Sequence, residues 1–153
     1  MMANRLREAG FEVHVRTEGV GFYADIAPDD FDPEIHKTVA IRSDLDGLAI
    51  EELNEVAYAS QKPGIMHACG HDVHMTCVTA AGMAIDRNTL GGRLRLLFQH
   101  AEEEVPGGAL DMIEFGALEG VDVVLGMHVD PELEVGKVGV RKGAFTAAFD
   151  TFK

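Results

Sequence analysis

The sequence predicts an α/β layered sheet with helices on both faces, and three observations predict it. Apolar, strand-like runs at 38–44, 93–99 and 121–129 alternate with helical patterns at 72–86 and 106–116. Gly and Pro punctuate the joins, at Gly91-Gly92 and Pro106-Gly107. Side chains suited to chemistry collect just beyond the strands' carboxyl ends, where such sheets form their sites.

Taken in order, residues 2–9 read as the end of an amphipathic helix stopped by Gly10. Phe11, Val13 and Val15 alternate with polar neighbours as in a half-buried strand, and 20–27 can pair with it. "APDDFDPE" (27–34) is a turn. "TVAIRSD" (38–44) is a buried strand, and 45–64 shows no clear period. In the helix at 72–86, Val73, Cys77, Ala80, Ala81 and Ala84 recur at three- and four-residue spacing and are expected to face the sheet. "RLRLLFQ" (93–99) is a strand and 106–116 a short helix. "VDVVLGMHV" (121–129) reads as a strongly buried strand, 134–140 as a strand nearer an edge, and 145–153 as the start of another.

The 153 residues correspond to one domain, large enough for a real core, and 46% of them are apolar. Thirteen basic residues face 26 acidic ones, a net charge of −13 that argues against nucleic acid or an anionic membrane as partner. "MMANRLREAGFEV" lacks the apolar run of a signal peptide, no stretch is long and apolar enough to span a bilayer, and a cytoplasmic location is expected. The two cysteines, Cys69 and Cys77, make no disulfide framework.

"MHACGHDVHM" (66–75) holds Cys69 and His71 around Gly70. In an extended segment these two side chains point the same way, and Gly70 gives the backbone room to approach a metal. A thiolate with an imidazole suits zinc and related ions. Alone, the triplet more often marks a structural cysteine beside a loop histidine. A reactive thiol, its pKa lowered by His71 and a helix N-terminus, is a third reading. "FQHAEEEVPGGAL" (98–110) carries Glu102, Glu103 and Glu104 where the chain leaves a strand. There one carboxylate can bind a metal while its neighbour serves as general base, against the alternative of a solvated charge run. His128 ends a Val- and Leu-rich strand and gains weight only beside the other clusters. Asp44 and Asp46, at the end of "IRSDLDG" (41–47), fit either a turn cap or a pair that orients a ligand histidine.

Together, "IRSDLDGLAI", "MHACGHDVHM", "FQHAEEEVPGGA" and "LGMHVDP" resemble, in order and spacing, the motifs of the metal-dependent amidohydrolases related to aminoacylase. The branch is that of N-acyl-amino-acid amidohydrolases, hippurate hydrolases and indole-acetyl-amino-acid hydrolases. The likeness runs from about residue 38 to the end. It implies a zinc-exopeptidase-type sheet and a site of two divalent metals (zinc, manganese, cobalt or nickel) bridged by a water. Cys69, His71, Glu103 and His128 are the implied ligands, Glu102 the implied general base, and Glu104 lies outside. The implied substrate is a small N-acyl amino acid, and full-length relatives of this kind can be homodimers. The resemblance also makes residues 1–153 a partial catalytic domain, with a lid domain, the rest of the sheet and a fifth ligand, a histidine, beyond Lys153. His100 stands where many members have proline, and Ser43 and Gly47 where alanine is common. The alternative function is a metal-binding but inactive fragment that needs a partner chain. A redox thiol protein would have no use for the glutamates or His128.

Overall fold

A computed structural model describes residues 1–144. The elements run α1 (Met2–Glu8), β1 (Glu12–Val15), β2 (Phe22–Ile26), β3 (Lys37–Asp44), α2 (His71–Ala84), a 3-10 turn (Arg87–Thr89), β4 (Gly92–Gln99), α3 (Ala109–Glu114) and β5 (Val123–Gly126). The strands form one mixed sheet in the order β1-β2-β4-β3-β5. β2 runs antiparallel to both of its neighbours, β1 and β4, whereas β4, β3 and β5 run parallel, with Ile41 opposite both Leu96 and Leu125. The parallel half places the carboxyl ends of three strands side by side.

Period-two alternation sorts the side chains of the central strands onto two faces. Phe22, Ala24 and Ile26 of β2 and Leu94, Leu96 and Phe98 of β4 pack with Leu6, Phe11 and Val78 beneath α1 and α2. Ala40 and Leu97 face the other way, onto Met112 of α3 and Ala117. Helices therefore cover both faces, as expected. Phe22 and Phe98, directly paired across strands, stack with centroids 4.3 Å apart.

The second face also buries a charge. Arg95, 4% exposed, makes two 2.7 Å bonds to Asp25 on the neighbouring strand. Its remaining N–H groups reach the carbonyls of Ala117 at 2.9 Å and Glu119 at 3.1 Å, so it ties the exit of α3 to the sheet. With its partner and carbonyl acceptors in place the buried guanidinium is satisfied; removal of Asp25 would leave it uncompensated.

Three expectations need correction. The buried face of α2 is His71, His74, Val78, Thr79 and Gly82, and Val73, Cys77, Ala80, Ala81 and Ala84 are exposed. The cause is close packing: a Cβ on Gly82 would stand 2.6 Å from Leu96 Cδ1 and 3.2 Å from Phe11, so the glycine sets the face that touches the sheet. β5 is not a buried strand. Among the described residues it is the sheet edge, with Val123, Val124 and Leu125 about half exposed, because edge position rather than composition decides what covers a strand. Residues 134–140 form no strand, and Val135, Val138 and Val140 are exposed. The strand expected at 145–153 lies outside the described residues.

α2 is also shorter than expected. Ile85 turns extended, and Asp86 then accepts from the Asn88 N–H at 3.0 Å to open the 3-10 turn. Both cysteines are free. No helix among the described residues is long and apolar enough to cross a membrane.

Candidate metal centre

The carboxyl ends of β3, β4 and β5 and the first turn of α2 converge on one place. β3 ends at Asp44 and its exit carries Asp46; β4 is followed by Glu102 and Glu103; β5 is followed by His128; Cys69 precedes α2 and His71 opens it. Gly70, the residue before α2, has φ +79°, and a Cβ there would collide with the Val129 side chain. The space at Gly70 is thus taken by Val129, which corrects the expected role of leaving room for a metal. Cys69 and His71 are brought together by this left-handed turn rather than by an extended segment. Ala101 also sits at positive φ (+48°), where the chain swings out of β4 and presents both glutamates.

Ligand-type atoms of Cys69, His71 and His128 lie within 4.8 Å of one another, as do those of His71, Glu102 and Glu103. All five side chains singled out in the sequence therefore meet around His71. Glu104 belongs to neither group. His67 is exposed.

His71 is 1% exposed. Its Nδ1 donates to the backbone carbonyl of Asp46 at 2.9 Å, because a carbonyl can only accept. In the neutral ring Nε2 then carries the lone pair. It has no hydrogen-bond partner, and it faces Asp44 at 3.6 Å, Glu103 at 3.6 Å and Glu102 at 3.7 Å. These separations are too long for hydrogen bonds. They match the edge of a coordination tetrahedron, roughly 3.4 Å for ligand bonds of about 2.1 Å. A buried lone pair facing three carboxylates calls for a cation between them. The donor set of sulfur, imidazole and carboxylate is that of zinc and similar divalent ions, so the residues fit the expected metal.

His128 is held in the same tautomer. Its Nδ1 donates to the carbonyl of Val129 at 2.7 Å, and Nε2 meets Cys69 Sγ at 3.3 Å. Burial first, then the hydrogen bond and charge of Glu103, push the Cys69 thiol up to about 11. That runs against the reactive-thiolate reading, which needs a lowered value. A thiol so placed is deprotonated by a bound cation.

The aspartates hold this arrangement. Asp46 Oδ2 accepts from the Glu103 backbone N–H at 3.0 Å, fixing the glutamate turn against the His71 support. Burial opposes ionisation of Asp46, but hydrogen bonds from the Glu103 and Glu102 backbone outweigh it and keep its pKa below the usual value. Burial likewise opposes ionisation of Asp44, and the bonds from His74 and Arg42 overcome it. Arg42 reaches Asp44 Oδ2 at 2.7 Å and Gln99 at 3.0 Å, linking the ends of β3 and β4. Sequence reading missed Arg42, whose in-strand position carries no sign of this contact. A groove of about 520 Å³ lies elsewhere, at the opposite end of β4, lined by paired charges such as Arg95 with Asp25 and Arg87 with Asp29. None of the convergent ligand-type residues lines it.

Residues 40–151 match the model of peptidase family M20/M25/M40. The chain is 43% identical over 150 residues to an N-acetyl-L-cysteine deacetylase of Bacillus subtilis, covering 97% of this chain and 35% of that protein. It is 49% identical over 118 residues to an N-acyl-L-amino acid amidohydrolase of Geobacillus stearothermophilus, covering 76% of this chain and 32% of that one. A Bacillus subtilis crystal structure described as a dinuclear metal binding peptidase from the M20 family superposes with a TM-score of 0.84 at 36% identity, over 93% of this chain and 39% of that chain. The chain thus spans about a third of the length of the relatives it matches. With a family model covering most of its residues and relatives this similar, the chain belongs to peptidase family M20/M25/M40.

Proposed function

We propose that this chain carries the metal centre of an amidohydrolase that cleaves N-acyl amino acids or related small amides. Cys69, His71, Glu103 and His128 hold divalent metal, two ions in the complete site, and Glu102 is the general base. The observation that carries the reading is the buried, unpartnered Nε2 of His71 among Asp44, Glu102 and Glu103. The named activities of the deacetylase and amidohydrolase relatives support the substrate class.

Bound metal supplies Lewis-acid polarisation of the amide carbonyl and lowers the pKa of water to about 7. The residues do the rest. Glu102, the more exposed of the two glutamates at 37% against 27%, has its carboxylate free to take a proton from the attacking water. The water oxygen bonds to the carbonyl carbon. Glu102 then delivers the proton to the amide nitrogen as the C–N bond breaks, giving a carboxylic acid and a free amine. Glu103, whose backbone N–H is fixed on Asp46 and whose carboxylate lies 3.6 Å from His71 Nε2, is held for ligation instead.

The test combines metal analysis of the purified chain with an assay of amino-acid release from N-acyl amino acids. The reading expects bound divalent metal and metal-dependent release that Glu102→Gln lowers by roughly two or more powers of ten while metal stays bound. A chain free of metal under non-chelating conditions defeats it. Because the chain spans only 32–39% of its relatives, a second reading stands beside it: a metal-binding part that needs a partner chain for turnover. Bound metal without release favours that one.

A further inference from the structure

His74 belongs to none of the roles assigned so far, yet it sits at the middle of the centre. It is 1% exposed, its ring 4.7 Å from that of His128 and 5.6 Å from that of His71. Together with Asp44 and His71 it has the spacing of a metal-binding group. The hydrogen bonds exclude it as a ligand. Nε2 accepts the backbone N–H of Val129 at 2.9 Å, and a backbone N–H can only donate. The ring proton therefore sits on Nδ1 and goes to Asp44 Oδ1 at 2.7 Å. Both nitrogens are used, and the other Asp44 oxygen is held by Arg42 at 2.7 Å.

Val129 is the residue after His128. Its N–H is fixed on His74, its carbonyl accepts the Nδ1 proton of His128 at 2.7 Å, and its side chain fills the space at Gly70. A single main-chain unit on an exposed segment is thus held at three points. We infer that His74 is a positioning residue: by accepting the Val129 N–H it aims His128 Nε2 at Cys69 Sγ, 3.3 Å away. The inference rests on the proposed reading in which Cys69 and His128 are ligands.

Two substitutions separate positioning from core filling. His74→Gln keeps a side-chain oxygen near the place of Nε2, where it can accept from Val129. His74→Asn keeps an amide near Nδ1 for Asp44 and leaves the Val129 N–H without a partner. Each variant is titrated with Co(II), and the thiolate-to-metal absorption band of Cys69 is followed. The expected result is near wild-type binding for Gln and roughly 10- to 100-fold weaker binding with an altered band for Asn. Equal binding by all three proteins, or a larger loss for Gln than for Asn, overturns the inference. Nitrogen-15 NMR of the metal-free wild-type chain needs no variant. It should show His74 neutral with its proton on Nδ1, and the opposite tautomer overturns the inference. Should the wild-type chain take up no cobalt, the ligand reading fails. The tautomer and the hydrogen-exchange protection of the Val129 amide then decide the contact by themselves, and an unprotected amide rules it out.

Discussion

His71 donates its Nδ1 proton to the carbonyl of Asp46 at 2.9 Å, and this one bond decides which way its lone pair points. The same aspartate's side chain accepts the Glu103 N–H, so imidazole and glutamate are placed by a single residue. The consequence is a buried, unpartnered nitrogen facing carboxylates, an arrangement that a bound cation stabilises. Divalent metal should therefore raise the melting temperature, by an amount equivalent to about 2.7 kcal/mol at a hundredfold excess over Kd. Calorimetry with and without chelator checks this. His71→Ala should abolish the metal effect while leaving the metal-free chain folded.

Gly82 should resist enlargement. Its contact with Leu96 sits in the packed core beneath α2, where added atoms have no free volume. Gly82→Val should lower stability by about 1–3 kcal/mol, more than the helix-propensity gain of under about 1 kcal/mol can offset. Urea unfolding measures it. An unchanged midpoint would show that the helix can lift off the sheet freely.

The start of β5 should be acid-sensitive. Asp122 is held below the usual carboxyl range by its bond to Lys37 at 2.6 Å and by the Thr38 N–H at 2.8 Å. Its folded pKa is depressed, so the unfolded chain takes up the proton first. The stabilisation is full above about pH 4 and is lost as pH falls through the folded value. The stability difference between wild type and Asp122→Asn should therefore shrink in acid. A difference that grows as pH falls contradicts this account of the contact.

The β5 edge should drive self-association. Among the described residues β5 is the last strand of the sheet, and Val123, Val124 and Leu125 expose apolar side chains there. Leu125→Lys should reduce light scattering at high protein concentration, with the metal affinity kept. Undiminished scattering would place the sticky surface elsewhere.

Much of this was legible in the sequence because it depends on local pattern. β3 and β4 are runs of apolar residues whose ends are marked by polar ones, and the ligand-type side chains follow those ends. Cys69, His71, Glu102, Glu103 and His128 could be named before their distances were known. What escaped depends on neighbours distant in the chain. The face that α2 buries is set by Gly82 meeting Leu96, and the small exposed residues at Ala80 and Ala81 imitate a packing stripe. β5 reads as buried because Val and Leu do not reveal that their strand is last in the order. Arg95 sits in a strand pattern as an ordinary polar position, and only Asp25 on the adjacent strand explains its burial.

The central claim is that a sulfur, two imidazoles and a carboxylate hold one metal centre. X-ray absorption of the zinc-loaded chain tests it most directly. The account predicts a sulfur shell at about 2.3 Å beside nitrogen and oxygen at about 2.0–2.2 Å, with the sulfur lost in Cys69→Ser. A first shell of oxygen alone, or a sulfur shell that survives Cys69→Ser, would contradict it.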